Sequence, residues 1–201
     1  MDAEGLFVII HSRRSIRRYD GRPVPADVLR RVLESGRWAP SAHNRQPWRF
    51  AVVTNSERQV SLARAMGARF REDLAPDGLP AHEIERQVSR SYTRITEAPA
   101  LVLVCLSLAE MDTYPDARRQ DAERIMAVQS TALAAQNILL MAHAEGLGAC
   151  WMCAPLFCPE IVREELNLPP DWEAQALLTL GYTAEQRTKD RDTLESKIVW
   201  Y

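Results

Sequence analysis

Between Asp121 and Glu145 the chain carries a segment whose interior reads AVQSTALAAQNILLMAHA, rich in alanine and other small residues and with little charge. A helix that is apolar nearly all round is a buried helix, and small side chains let another backbone approach closely. In a chain of 201 residues such a helix is the centre of the domain, part of a subunit interface, or both. Gly146 and Gly148 follow it, as C-cap glycines would. The remaining segments have to be arranged around this one long helix.

They alternate between helical and extended character without a regular βαβ period. Glu4–His11 reads as a short helix leading into the basic run Arg13–Arg18. Pro25 suits the first turn of a second helix, with Asp27 matching the charge preference of a helix start. There Val28, Leu29, Val32 and Leu33 recur at helical spacing, and Trp38 and Pro40 mark its end. Trp48–Thr54 is a strand by its β-branched and aromatic content, and Ser56 is the expected N-cap of a helix reaching about Leu74. Ala75–Pro80 breaks the chain. Glu83–Thr96 is helical but polar, so a surface position is expected. Ala98–Leu108 is a nearly continuous apolar run, as in a strand buried on both faces. A short strand at Ala149–Met152, a helix over Cys158–Leu166, a strand over Ala174–Leu180 and a polar tail complete the chain. No repeat, low-complexity tract or linker divides it. The expected architecture is a single α+β domain over residues 1–201, with a central sheet flanked by helices.

Composition narrows the function classes. Apolar residues make up 46% and charged residues 26%, close to the soluble average, which argues against a disordered or disulfide-scaffold protein. The net charge of −2 lacks the basic excess of a nucleic-acid binder. The apolar stretch Leu6–Ile10 is too short for a signal-peptide core and is preceded by acids. No uninterrupted apolar run approaches the ~18 residues that span a bilayer. A cytoplasmic protein without membrane or nucleic-acid partners is expected, with Cys105, Cys150, Cys153 and Cys158 as reduced thiols.

Four constellations could carry chemistry. The first is RRSIRRY, Arg13–Tyr19, four arginines and a serine in a chain that is acidic overall. Guanidinium groups bind phosphate through paired, charge-assisted hydrogen bonds, and in an extended segment Arg13, Ser15 and Arg17 point to one side. The competing reading is a solvated basic turn. The second is APSAHNRQPWRF, Ala39–Phe50, where two prolines stiffen a loop carrying Ser41, Asn44 and Gln46. Amides combine donor and acceptor and suit the edge of a flat heterocycle; an ordinary turn in front of a core Trp48 is the alternative. The third is GLGACWMCAPLFCPE, with Cys150 and Cys153 as a CxxC. A thiol redox pair or a metal site with Cys158 and His143 is conceivable, but no second ligand pair exists at recognisable spacing, and buried thiols behave as small hydrophobes. The fourth is the tail EQRTKDRDTLESK, where Lys189 and Arg191 gain meaning if the tail folds back onto the first cluster. GxGxxG, a phosphate-binding loop ending in Gly-Lys-Ser/Thr, HExxH and GxSxG are all absent.

In this order the segments resemble the nitroreductase family of flavoproteins. RRSIRRYDGRPVP is similar to the family's Arg-Arg-Ser-x-Arg signature, APSAHNRQPWRFAVV to its Pro-Ser-x-x-Asn-x-Gln-Pro-Trp signature, LGACWMCAPLF to the segment across the flavin face, and LLTLGYTAE to the late strand ending in Gly-Tyr-Pro. The likeness runs over nearly the whole chain. It implies a nitroreductase-like fold, with a mixed, mostly antiparallel sheet, a long buried central helix and an intertwined homodimer binding FMN at the subunit interface. By motif position, Arg13, Arg14, Ser15 and Arg17 would hold the ribityl phosphate and chain, joined by Lys189 and Arg191. Pro40, Ser41, Asn44 and Gln46 would reach the flavin from the partner subunit, and Ala149, Cys150, Trp151 and Met152 would lie near its hydride-accepting nitrogen. Thr183 stands where the family has proline, and Cys150 and Cys153 put thiols where the family shows no fixed chemistry. Within the family, the HNRQPW loop and the 147–182 region look most like the flavin domain fused to the ligase of deazaflavin-coenzyme biosynthesis.

The implied activity is ping-pong hydride transfer from NAD(P)H through FMN to a small electron-poor acceptor: a nitroaromatic, a quinone or an unsaturated metabolite. No nucleophile or acid–base dyad is required, since the cofactor carries the chemistry. A reductase of the deazaflavin pathway, a flavin-binding protein without turnover, a phosphate- or RNA-binding module built on the arginines, and a thiol oxidoreductase are the alternatives.

Overall fold

The computed structural model describes residues 2–201. Its elements, in chain order, are α1 (Ala3–Ser12), α2 (Ala26–Arg37), β1 (Trp48–Val53), α3 (Ser56–Leu74), α4 (Ala81–Thr96), β2 (Ala100–Leu106), α5 (Ala117–Ala144), β3 (Leu147–Met152), α6 (Pro159–Leu166) and β4 (Glu173–Tyr182), with short 3₁₀ turns between them.

The sheet is the middle of three layers. Its strands run in the order β1-β2-β4-β3, and every neighbouring pair is antiparallel. The expected mixed sheet is thereby corrected. The long crossover through α5 does leave β2 and β3 parallel in direction, but β4 inserts between them and runs against both. Parallel pairing survives only as an isolated bridge between Ser15 and Ala149. β2 is buried along its whole length, as the apolar run Ala98–Leu108 predicted, because it is a central strand covered on both faces. Its period-two alternation splits the core. Val102 and Val104 face α2 and α5, beside Leu29, Val32, Ala135, Ile138, Leu178 and Leu180. Leu101, Leu103 and Cys105 face α3, α4 and α6, beside Leu62, Ile95, Val162 and Leu177.

α5 is the long central helix, and it begins four residues before the expected Asp121, where the Asp116 side chain caps it by accepting from Arg119 N at 3.0 Å. Its alanine-rich face, Ala127, Ala134, Ala135 and Ala142, lies fully buried beside Ile138. The other face stays open within one chain: Ile125, Val128 and Leu133 are 56%, 37% and 46% exposed. The helix is also long and apolar enough to cross a membrane. The run-length reading missed this because Ser, Thr, Gln and Asn interrupt its apolar residues. Packing against the sheet and α2 makes it a core helix of the domain.

Local details differ in two further places. Asn55, not Ser56, caps α3, its side chain accepting from Arg58 N at 2.9 Å. Gly146 adopts φ 76° after α5, as a C-cap glycine does, but Gly148 lies inside β3. There it leaves room for Ile16, since a Cβ at this position would come within 2.5 Å of Ile16 Cγ2.

Candidate functional site

The arginine run leaves α1 at Ser12, whose hydroxyl sits 2.6 Å from the Val8 carbonyl and 2.8 Å from His143 Nε2 on α5. From there the chain lies along the edge of β3. Ile16 N donates to the Ala149 carbonyl at 2.9 Å, so Ser15 is bridged to Ala149 and Ile16 folds over Gly148. Tyr19 anchors the far end: its hydroxyl lies 2.8 Å from the Ile16 carbonyl and 2.6 Å from Thr179 Oγ1. Burial pushes the Tyr19 phenol well above its usual pKa, keeping it neutral.

The polar tail does fold back onto this segment. Asp20 N donates to the Tyr182 carbonyl and Ala184 N to the Arg18 carbonyl, both at 3.0 Å. The Glu185 carboxylate accepts from Arg17 N at 2.7 Å and from Arg187 Nη2 at 2.8 Å. Thr183, in place of the family proline, makes the turn with its hydroxyl, which donates to the Glu185 carbonyl and accepts from Glu185 N. Arg191 is thereby brought close to Arg13, whose guanidinium is pushed below its ordinary pKa by burial first and by Arg191 and Arg14 next. Lys189 is exposed in the same tail.

The cluster is short of counter-charge. Among the described residues, none of Arg13, Arg14, Arg17 and Arg191 forms an ion pair. Arg14 Nη1 reaches the carbonyls of His11 and Arg13 at 2.6 and 2.8 Å, and Arg17 Nη1 the carbonyl of Ser15 at 3.2 Å. The Nε atoms of both are buried without a partner. A buried donor left unsatisfied costs roughly 1–3 kcal/mol, more when charged. An anion with several acceptor oxygens, such as a phosphate, could satisfy these donors.

β3 supplies the floor. Ala149, Cys150 and Met152 are buried and Trp151 is half-buried. Burial pushes the Cys150 thiol up, and Arg17 and Arg94 only partly oppose it, so it is not set up as a thiolate nucleophile. Cys153 is exposed, and all four cysteines are free.

The second predicted segment lies elsewhere. Pro40, Asn44 and Gln46 are exposed and Ser41 half-buried. The loop is built under tension: His43, Asn44 and Gln46 take φ values of 48°, 55° and 51°, a region that costs non-glycine residues about 1–3 kcal/mol each and that Asn tolerates best. It is held by Gln46 N donating to Ser41 Oγ at 3.1 Å, Gln46 Nε2 donating to Asn44 Oδ1 at 3.3 Å, and an Arg45–Asp112 ion pair. Ala42 N donates to Ser130 Oγ on α5, whereas Ser12, directly before the arginine segment, meets α5 at His143. These two points are about 20 Å apart along the helix, at ~1.5 Å per residue.

The model of the nitroreductase family matches residues 10–182, a range that contains the arginine segment, the strained loop and β3. The chain belongs to the nitroreductase family. A relative of this nitroreductase-family chain, an NADH dehydrogenase of Thermus thermophilus, is 33% identical over 200 residues, covering 94% of this chain and 92% of its own. A protein of Desulfovibrio desulfuricans solved in complex with FMN superposes with a TM-score of 0.75 at 26% identity, covering 98% and 96% of the two chains. A BluB-like flavoprotein of Clostridium difficile superposes at 0.79 over 100% of this chain and 99% of its own, and at 21% identity shows the fold alone.

Two members of the site escaped the sequence reading. Glu185 is a lone acid in a charged tail and carried no signal. Arg94 did: Arg86, Arg90 and Arg94 recur every fourth residue, one row along a helix. α4 was expected to lie on the surface because it is polar. It does lie there, as an amphipathic helix that buries only Ile84, Val88 and Ile95, and half-buried Arg94 has its guanidinium pushed below the ordinary value by burial first and by Arg17 next.

Proposed function

We propose that this nitroreductase-family protein is an FMN-dependent oxidoreductase that takes hydride from NAD(P)H and delivers it, in a ping-pong cycle, to a nitroaromatic, quinone or unsaturated acceptor. One observation carries the reading: two buried guanidinium Nε atoms without partners, in a cluster drawn from both ends of the chain and lacking paired carboxylates. The residues fit a flavin phosphate. Arg13, Arg14, Ser15, Arg17, Lys189 and Arg191 would hold the phosphate and ribityl chain, and Ala149–Met152 would lie along the ring. Bound there, FMN supplies reversible hydride acceptance, the chemistry that no side chain of the cluster offers.

The chain's own part is to bind, orient and exclude water. The bridge between Ser15 and Ala149 fixes the arginines relative to β3, so phosphate and ring contacts are set by one backbone pairing. Arg17, beside Cys150, places a cation where negative charge would accumulate on a reduced ring. Pro40, Ser41, Asn44 and Gln46 stand too far along α5 to complete the same site from within one chain. They are assigned to the site of a second copy, in an intertwined homodimer. The exposed apolar surface of α1 (Leu6, Phe7, Val8, Ile10), the open face of α5 and the tail residues Val199 and Trp200 form the kind of patch that such an interface covers.

The purified protein is expected to be yellow, to bleach anaerobically with NADH or NADPH, and to recover on adding menadione. Arg13→Gln combined with Arg17→Gln should lower flavin occupancy at least about tenfold, as expected from losing charge-assisted bonds of ~1.5–3 kcal/mol each, while circular dichroism stays unchanged. Full flavin occupancy in that variant sinks the phosphate assignment.

A further inference from the structure

A cavity of about 330 Å³ lies between α3, α4 and the turn that follows β3. It shares no lining residue with the arginine cluster. α3 presents Met66, Phe70 and Leu74 to it, three residues at four-residue spacing on one helix face. α4 presents Ser91. Ile84, Val88, Ser91 and Ile95 fall on one helical stripe, and the three aliphatic members are only 8%, 6% and 1% exposed. A hydroxymethyl group thus stands where the stripe calls for a branched aliphatic side chain. The turn adds only the methyl group of Ala154. Interiors are normally packed with few voids larger than a water molecule, and this void follows from two small side chains in walls otherwise built of large ones.

The walls select a class of ligand. Met66 and Cys158 are each 5% exposed and bring two sulfur atoms. The Cys158 thiol donates to the Ala154 carbonyl at 3.6 Å, and burial first and Asp73 next push it up to about 11, so this wall is uncharged. Sulfur atoms and the ring of Phe70 are soft, polarisable partners for an aromatic face. The volume is at the lower end of the ~300–1,000 Å³ of small-molecule sites, enough for roughly one or two fused rings. Half-buried Ser91 can donate to, or accept from, a single polar substituent. The charged lining residues are on the solvent side, Arg69 and Asp77 exposed and Asp73 half-buried. Arg69 is taken up by Asp73 at 2.8 Å, so Asp77 leaves the rim with net negative charge, which works against an anion.

We propose that this cavity is a binding site for a small neutral aromatic compound of one or two rings bearing a hydroxyl or carbonyl group, and that its acidic rim turns carboxylated analogues away. The site stands apart from the one assigned to FMN, and no residue serves both.

Calorimetric titration of the purified full chain with 2-naphthol and with 2-naphthoate tests this. 2-Naphthol should bind once per chain with a Kd below ~1 mM, and 2-naphthoate at least about tenfold more weakly. Ala154→Leu fills the cavity from the turn and Ser91→Leu from α4, and each should weaken 2-naphthol binding about tenfold or more. Ser91→Leu also completes the apolar stripe of α4, so its melting temperature should not fall, which separates lost binding from lost folding. No 2-naphthol binding up to ~1 mM, equal affinity for the two probes, or binding that persists in both filled variants overturns the proposal, the ring in the last case lying elsewhere. The same titration of the Arg13→Gln, Arg17→Gln protein keeps the site distinct from the cofactor assignment. 2-Naphthol binding retained there supports the cavity, whatever becomes of the flavin. Binding lost together with the flavin places the ring on the cofactor and overturns it.

Discussion

Gly148 shows how a single hydrogen atom can hold a site open. A Cβ there would meet Ile16 Cγ2 at 2.5 Å and Ile16 Cβ at 2.7 Å. Ile16 is the residue whose N–H ties the arginine segment to the Ala149 carbonyl. A methyl group at 148 must displace that segment from β3, because the clash is with the branch point of a buried side chain and not with a flexible tip. Gly148→Ala is expected to cost ~1–3 kcal/mol of stability, as overpacking does, and to lower flavin affinity together with the melting temperature. A variant that keeps full flavin affinity at reduced stability would separate the segment's position from binding. Such a dependence was invisible beforehand: in sequence Gly148 reads as a second helix-ending glycine, and only the strand pairing shows what lies above it. The arginines were legible because four of them in six residues is an unusual density in an acidic chain. Arg94 was not, because a charged residue every fourth position is also the mark of an ordinary solvated helix face.

At the scale of elements, the tight seam is between α2 and α5. Gly36 lets the helices approach so closely that a Cβ there would stand 2.9 Å from Ile138 Cδ1 and 3.1 Å from Phe50 Cζ, and Ile138 is fully buried between α2 and the sheet. Ile138→Ala should destabilise the protein by ~2–5 kcal/mol, since a rigid crossing this close cannot collapse to fill the space. Urea unfolding followed by tryptophan fluorescence would measure it, and a loss under ~1 kcal/mol would mean that the seam relaxes. Element identities were readable because periodicity reports burial locally. β2 announced itself as an unbroken apolar run, and α2 through residues at helical spacing. Strand order was not readable. Antiparallel pairing of β4 between β2 and β3 is a contact between distant segments, and the same alternation of apolar residues is compatible with either direction.

For the whole molecule, the separation of the strained loop from the arginine cluster leads to a complementation experiment. One variant carries Arg13→Gln and Arg17→Gln; another carries Asn44→Ala and Gln46→Ala. If each site draws arginines from one copy and the loop from the other, a mixed dimer of the two has one intact site and one doubly defective site. Co-expressed mixed dimers should hold close to half the wild-type flavin, and each homodimer much less. Flavin content no better than that of the homodimers would place loop and arginines in the same copy's site. The amino-acid sequence alone determined the α+β class, the positions of most helices and strands, and the dense positive charge of the arginine segment that follows α1, because propensity, periodicity and charge density are properties of neighbours in the chain. Only the tertiary structure decided that β4 separates β2 from β3, that Glu185 and Arg191 return to the arginine segment, that Arg94 joins them, and that one face of α5 stays open. Each of these is a meeting between residues far apart in the chain, settled by which surfaces can be buried together and which charges are left without a partner.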